Sequence, residues 1–356
     1  MNQRLIFWIT IAFYVVLAIV CFYIAIIYLN NNPIYIGIGL ASFGITAYSY
    51  ATRSSFYYYL ACQHYQRGKL KETFANLDLA ILTNPRYADA FYLRGIFAYE
   101  RQNLTKAIAD LSHAVQYKPS SEKAFYYRGL CYLSQKANAK ALADLDRAIA
   151  INPGYEPAYF SRGLLHLVEH RFPEAIEDLS QSIRMQQDRA NAYLYRGFAL
   201  IYQGKQEVAL ADFSAYIHLT PESFTGYYNR AVLRYNLGGF QEALADFTQA
   251  IELAQNDTAN YYGRSNVYVQ INCLEEAIVD FNRARELEPD YPVDRNDQHG
   301  FYHAGLAHHH QGNSEFAIEL LNYALRLCRQ HHDHLMDEIV INAIQTIETR
   351  KLGELE

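Results

Sequence analysis

Apolar and polar residues alternate in two different ways along this chain. Residues 5–29 carry no charge and include sixteen Leu, Ile, Val or Phe, a run long enough to cross a bilayer as a helix. At about −0.3 to −0.6 kcal/mol per large apolar residue near the membrane centre, insertion is favourable by several kcal/mol. After Asn30-Asn31-Asn32-Pro33 a second uncharged stretch, 34–52, is diluted by Gly37, Gly39, Gly44, Ser42 and Ser49. Gly37 and Ala41 would let it approach the first helix closely. The pattern predicts a two-helix membrane hairpin over 1–53, the competing reading being one spanning helix followed by an interfacial segment. Arg4 before it and Arg53, Arg67, Lys69 and Lys71 after it, with no positive charge in the turn, place both ends in the cytoplasm.

From residue 54 the pattern becomes helical and recurs every 34 residues. Apolar positions three and four apart predict a helix over about 90–101 and a second over 104–117, with Pro119 ending it. Pro153, Pro221 and Pro289 close later units in the same place. Arg94, Arg128, Arg162, Arg196, Arg230 and Arg264 stand in register. So do Ala107, Ala141, Ala175, Ala209, Ala243 and Ala277, and Asp110, Asp144, Asp178, Asp212, Asp246 and Asp280. Gly95, Gly129, Gly163 and Gly197 follow four of the arginines. Such small residues let two antiparallel helices come close, and a fixed period of this length means stacked helix pairs.

Composition changes the picture in only two places. A net charge of −6 supplies no basic field for nucleic acid, and 32 tyrosines make the aromatic positions the ones to follow. Five cysteines without metal-ligand spacing read as small buried hydrophobes.

These residues resemble the tetratricopeptide repeat family. With Ala88 as position 1, the match is small residues at 8, 20 and 27, aromatics near 4 and 5, and proline at 32. It extends over 54–328 as eight units. The resemblance implies an all-α superhelical solenoid of helix-turn-helix repeats behind the membrane hairpin. The first unit departs with Leu60, Thr73 and Asn76, and the last with Ala304 and Leu320, as terminal repeats do. Tyr216 replaces a small residue at position 27 and is expected to loosen or bend the stack locally. Leu335, Ile339, Ala343 and Ile347 predict a capping helix within 329–356. The arginines and aspartates vanish together from the terminal units, which predicts structural ion pairs between them.

In the family, positions 2, 5, 6, 9, 12 and 13 of the first helix face a concave groove. Carried onto this chain, position 5 gives Tyr58, Tyr92, Tyr126, Phe160, Leu194, Tyr228, Tyr262 and Tyr302, and position 9 gives Leu130, Leu164 and Phe198 among others. This groove would grip an apolar peptide. The competing reading of each tyrosine is packing between repeats. The lysine-asparagine carboxylate clamp of some members is missing; Asn266 alone does not make one. His299, His303 and His310 stand at helical spacing in the last repeat as weak metal candidates, with no cysteine or carboxylate completing a site. No phosphate loop, nucleophile elbow or His-Glu-x-x-His helix occurs, so neither an enzyme nor a cofactor is expected. The expectation is a membrane-anchored scaffold for protein or peptide partners, membrane proteins included. The alternative is a metal- or pH-responsive sensor built on the histidine-rich end.

Overall fold

The computed structural model describes residues 53–271, 273–288, 301–302, 305–306, 308–309, 312–330 and 334–353. The expected membrane spans, 5–29 and 34–52, lie outside the described residues. Among those described, no helix is long and apolar enough to cross a membrane. Every regular element among them is an α-helix. The chain forms two compact units, one ending at Arg162 and the other starting at Gly163.

The first unit contains α1 (53–66), α2 (Leu70–Thr83), α3 (Ala88–Glu100), α4 (Leu104–Tyr117), α5 (Glu122–Ser134), α6 (Asn138–Ile151) and the start of α7 (Glu156–Val168). Here α2 to α6 each pack on the next, and α3 also touches α5. The second unit continues with α8 (Phe172–Met185), α9 (Ala190–Tyr202), α10 (Gln206–Leu219), α11 (Phe224–Asn236), α12 (Phe240–Leu253), α13 (Thr258–Gln270) and α14 (Leu274–Leu287), then α15 (Ser314–Gln330) and α16 (His334–Gly353). In it, α8 to α14 pack in sequence, α11 touches α13, and α15 packs on α16.

Local chemistry sets the helix ends. Asn103, Ser121 and Asp257 accept hydrogen bonds from the backbone N–H groups of Lys106, Ala124 and Asn260, satisfying donors that the first turn leaves unpaired. Between the two helices of a pair the chain turns through one left-handed residue: Gly68, Gln102, Lys136, His170, Gly204 or Gly238, with φ between 57° and 80°. At Gln102, its own N–H donates to Tyr99 O and that of Asn103 to Ala98 O, both at 2.8 Å, the Schellman pattern.

Each second helix buries one large side chain: Leu77, Leu111, Leu145, Leu179, Phe213, Phe247 or Phe281, each at most 2% exposed. Fully burying such a side chain is worth about 1.5–3 kcal/mol. The glycines of the first helices make room for it. A methyl group at Gly197 would lie 2.7 Å from Phe213 Cε1, and one at Gly95 2.8 Å from Leu111 Cγ.

Two expectations need correcting. Tyr216 does not open the stack: it is 7% exposed, and its hydroxyl lies 3.1 Å from Ser223 Oγ. The space comes from Gly226 in the next first helix, where a Cβ would meet Tyr216 Cδ1 at 2.7 Å. Three other junctions have buried alanine at both places, Ala80 with Ala90, Ala114 with Ala124 and Ala148 with Ala158, while Ser182 stands at the place opposite Ala192 and Asn260 at that opposite Ala250. In the terminal helix the expected Ala343 and Ile347 pack into the core, but the rest of the buried face is shifted. Met336, Val340 and Ile347 are buried with Ala324 and Cys328, whereas Ile339 is 39% exposed.

Candidate functional site

Positions 5 and 12 of a first helix are two turns apart and share a face. In the first unit this face is a connected row of tyrosines. Tyr92 and Tyr99 on α3 meet Tyr127 on α5 edge-on, with ring centroids 6.0 and 6.4 Å apart. Tyr127 lies 5.3 Å from Tyr126, and Tyr126 lies 5.4 Å from Tyr155, just before α7. Tyr58 on α1 makes the same edge contact with Tyr87 at 5.6 Å. Tyr58, Tyr92, Tyr126, Tyr127, Tyr155, Leu130 and Phe160 are all half-buried. On α1, Phe56, Tyr59 and Tyr65 are more open, at 56%, 57% and 43% exposed.

The surroundings of these hydroxyls are apolar or acidic. Burial, then Tyr127, Glu122 and Asp89, hold the Tyr92 phenol above its usual range. Burial, then Tyr126, Tyr92, Tyr127 and Glu122, do the same for Tyr155. Tyr127 is raised by burial, Tyr126 and Glu100. These tyrosines therefore stay neutral at any ordinary pH.

The second unit uses the same positions differently. Phe198 packs edge-on against Phe213 at 5.7 Å, and Tyr228 against Phe247 at 6.0 Å. Tyr262 lies 5.6 Å from Phe281 and 6.1 Å from Phe301 and is only 7% exposed. Tyr302 packs against that same cluster, Leu194 is buried and Leu164 half-buried. The cause lies one layer down. Leu77, Leu111 and Leu145 fill the core of the first unit, whereas in the second phenylalanine takes that place at Phe213, Phe247 and Phe281, between Leu179 and Leu321. The longer ring reaches up and takes a face of the residue above it. The candidate groove residues are thus surface-forming in the first unit and partly core in the second.

Each unit also carries a series of ion pairs. Arg94, Arg128, Arg196, Arg230 and Arg264 donate through Nε and Nη2 to both carboxylate oxygens of Asp110, Asp144, Asp212, Asp246 and Asp280, at 2.6–2.9 Å. These hydrogen bonds raise the guanidinium pKa of Arg94, Arg128, Arg196 and Arg264. Nη1 of each arginine turns to the preceding repeat: to Asp78, Ser112, Ser180, Ser214 and Thr248. Arg162 donates likewise to Asp146 at 2.6 Å. In the second unit His166 Nε2 lies 3.7 Å from Asp178. Asp246 receives a further arginine, Arg234, also at 2.6 Å.

The sequence pattern described as the tetratricopeptide repeat matches residues 106–156, 160–224 and 228–292, just over half of the chain. The chain belongs to the tetratricopeptide repeat family. No curated protein sequence matches it. Among solved structures it is similar to Pseudomonas aeruginosa pilF, at 16% identity and a TM-score of 0.50, over 57% of this chain and 92% of that one. A tetratricopeptide repeat protein from Parabacteroides merdae aligns over 72% of this chain and 99% of that one, at 18% identity and a TM-score of 0.49. YrrB, described as a TPR protein with an unusual peptide-binding site, covers 51% of this chain and 93% of its own, at 18% identity and 0.47.

Two features of these tetratricopeptide repeats escaped the sequence reading. The acceptors at position 25 (Asp78, Ser112, Asp146, Ser180, Ser214, Thr248) recur every 34 residues, and that register was the signal. Tyr127 stands at position 6, itself a groove-facing position, and Tyr155 just before position 1 of its unit; their ring contacts bring both into the row. At the histidine-rich end, His299, His303 and His310 lie outside the described residues. His308 is 5% exposed, edge-on to Phe316 at 4.6 Å, and burial lowers its pKa. His309 Nδ1 lies 3.1 Å from Ser314 Oγ. Among the described residues, no three or more His, Cys, Asp or Glu are grouped to hold a metal. Burial pushes the Cys131 thiol up to about 11, which leaves it inert at neutral pH.

Proposed function

We propose that this chain is a non-enzymatic scaffold, anchored by a hairpin over 5–29 and 34–52, that captures a protein or peptide partner on the tyrosine face of its first unit in the cytoplasm. The observation that carries the reading is the connected row Tyr92, Tyr127, Tyr126, Tyr155. Rigid rings with few rotatable bonds lose little entropy on binding. Tetratricopeptide repeat proteins generally mediate protein–protein interaction, which supports the same view. A membrane anchor would raise the effective concentration of the face for membrane-bound clients.

The test is photo-crosslinking in native membranes from a reactive residue at Tyr126, with one at Tyr228 for comparison. A discrete protein adduct from 126 is expected; labelling of lipid or of the chain itself alone would count against the reading. Digestion of the repeats by protease added outside intact cells would overturn the cytoplasmic placement. A second reading, a pH-responsive element, is favoured by one observation: His308 is buried against Phe316 with its pKa lowered.

A further inference from the structure

We propose that the occupant of the tyrosine face is a cationic segment, an extended peptide whose arginine side chains stack on Tyr92, Tyr99 and Tyr127 and whose charge is met by Glu100 and Glu122. This rests on the binding reading above and names the chemistry of its ligand. Three observations carry it.

The first is the geometry of the rings. They meet edge to face, so neighbouring rings point their negative faces in different directions around a shared space. Half-burial leaves part of each ring open while its neighbours hold it in place. Rings arranged this way attract a cation within about 6 Å of the centroid. Arginine suits them better than lysine, because its guanidinium is planar and more weakly hydrated.

The second is the sign of the charge around the row. Asp89, Glu122 and Glu100 are the charged groups that act on the hydroxyls of Tyr92, Tyr127 and Tyr155. Lys118 holds Asp89 at 3.0 Å, and Lys123 stands exposed beside Glu122, pointing elsewhere because adjacent helix residues do not share a face. Among the described residues Glu100 and Glu122 belong to no ion pair. An apolar peptide would have to bury these carboxylates without compensation, and an acidic one would be repelled.

The third is that the ring contacts of the chain's own cations fall on other rings. In the first unit the repeat arginines lie over position-4 rings, Arg94 over Phe91 and Arg128 over Phe125, each at 5.5 Å. Lys140 lies over Tyr132. No arginine or lysine of the described residues lies over Tyr92, Tyr99, Tyr127 or Tyr155.

The experiment measures fluorescence anisotropy of four labelled peptides with the full chain in detergent. The peptides alternate serine with arginine, lysine, leucine or glutamate. The arginine peptide is expected to bind most tightly. Tyr127→Leu should weaken it about tenfold, within the range of one desolvated cation–π contact, and Tyr127→Phe, which keeps the ring, should hold wild-type affinity. The surface pair Glu100→Gln with Glu122→Gln should weaken binding and flatten its salt dependence. The charge-matched pair Glu252→Gln with Glu275→Gln should do neither. Equal or tighter binding of the leucine or glutamate peptide would overturn the proposal, as would unchanged affinity in the Glu100/Glu122 variant. In either case a protein adduct from Tyr126 would leave the broader binding reading standing. Absence of both peptide binding and adduct would sink the two together.

Discussion

Removing Arg128 should cost this protein more than removing its partner Asp144. The Asp144 side chain is 8% exposed and that of Arg128 18%, and two hydrogen bonds at 2.8 and 2.7 Å join them. Arg128→Met strands a buried carboxylate with no cation, a loss of about 3–5 kcal/mol. Asp144→Asn strands a guanidinium that keeps Ser112 at 3.3 Å and some water, so the loss is about 1.5–3 kcal/mol. Each single change breaks the same pair, so the double variant should fall short of their sum by about 2 kcal/mol. Amide hydrogen exchange in α5 and α6 is the suitable assay, because a repeat array need not unfold in one step. The chain supplies its own control. At Asp246 the second arginine, Arg234, stays when Arg230→Met is made, and that change should cost less than Arg128→Met. Coupling below about 0.5 kcal/mol, or equal costs at Arg128 and Arg230, would refute the reasoning.

Other outcomes follow from single positions. Asn260 stands where most repeats have alanine, is 0% exposed, and neither side-chain polar atom has a hydrogen-bond partner; Asn260→Ala should raise the melting point, by about 1–3 kcal/mol of stability. Gly226→Ala should destabilise by about 1–3 kcal/mol through its 2.7 Å contact with Tyr216, and adding Tyr216→Ala should recover part of that loss, measured by thermal melts of both variants. Lys136 holds φ at 58°, a left-handed conformation costing about 1–2 kcal/mol without glycine. Lys136→Gly should therefore raise the melting temperature slightly, once the added freedom of the unfolded chain is subtracted. His308 has a pKa below the ordinary 6.5 through burial, so the unfolded chain takes up its proton first. Stability is full above about pH 6.5 and falls as pH drops below it, and His308→Leu should flatten that part of a melting-temperature profile.

Much of the fold was legible because the architecture repeats its demands. The second helix 104–117 could be read from Leu104 to Tyr117, and the arginine and aspartate registers from their shared spacing. What was not legible depended on contacts between repeats rather than on any single repeat. Tyr216 looked like a defect because its compensation, Gly226, lies in the next unit. The terminal helix was placed, but its buried face was set by Ala324 and Cys328 on α15 rather than by its own periodicity. The candidate site was half legible. Position 5 picked out Tyr92 and Tyr126, which belong to the ring row, but what each such ring packs on depends on the leucine or phenylalanine beneath it, as Tyr92 over Leu111 and Tyr262 over Phe281 show.

The exchange of bulk between Tyr216 and Gly226 bears on how such a chain can lengthen or shorten over generations. Where alanine meets alanine, a duplicated or deleted block of 34 residues rejoins two surfaces that already fit. At this one seam the surfaces are a private pair. A recombinant that sets Tyr216 against an alanine clashes, and one that sets Gly226 against an alanine leaves a void. The order of the repeats on either side is therefore fixed by shape, while copies joined through alanine on both sides can be traded.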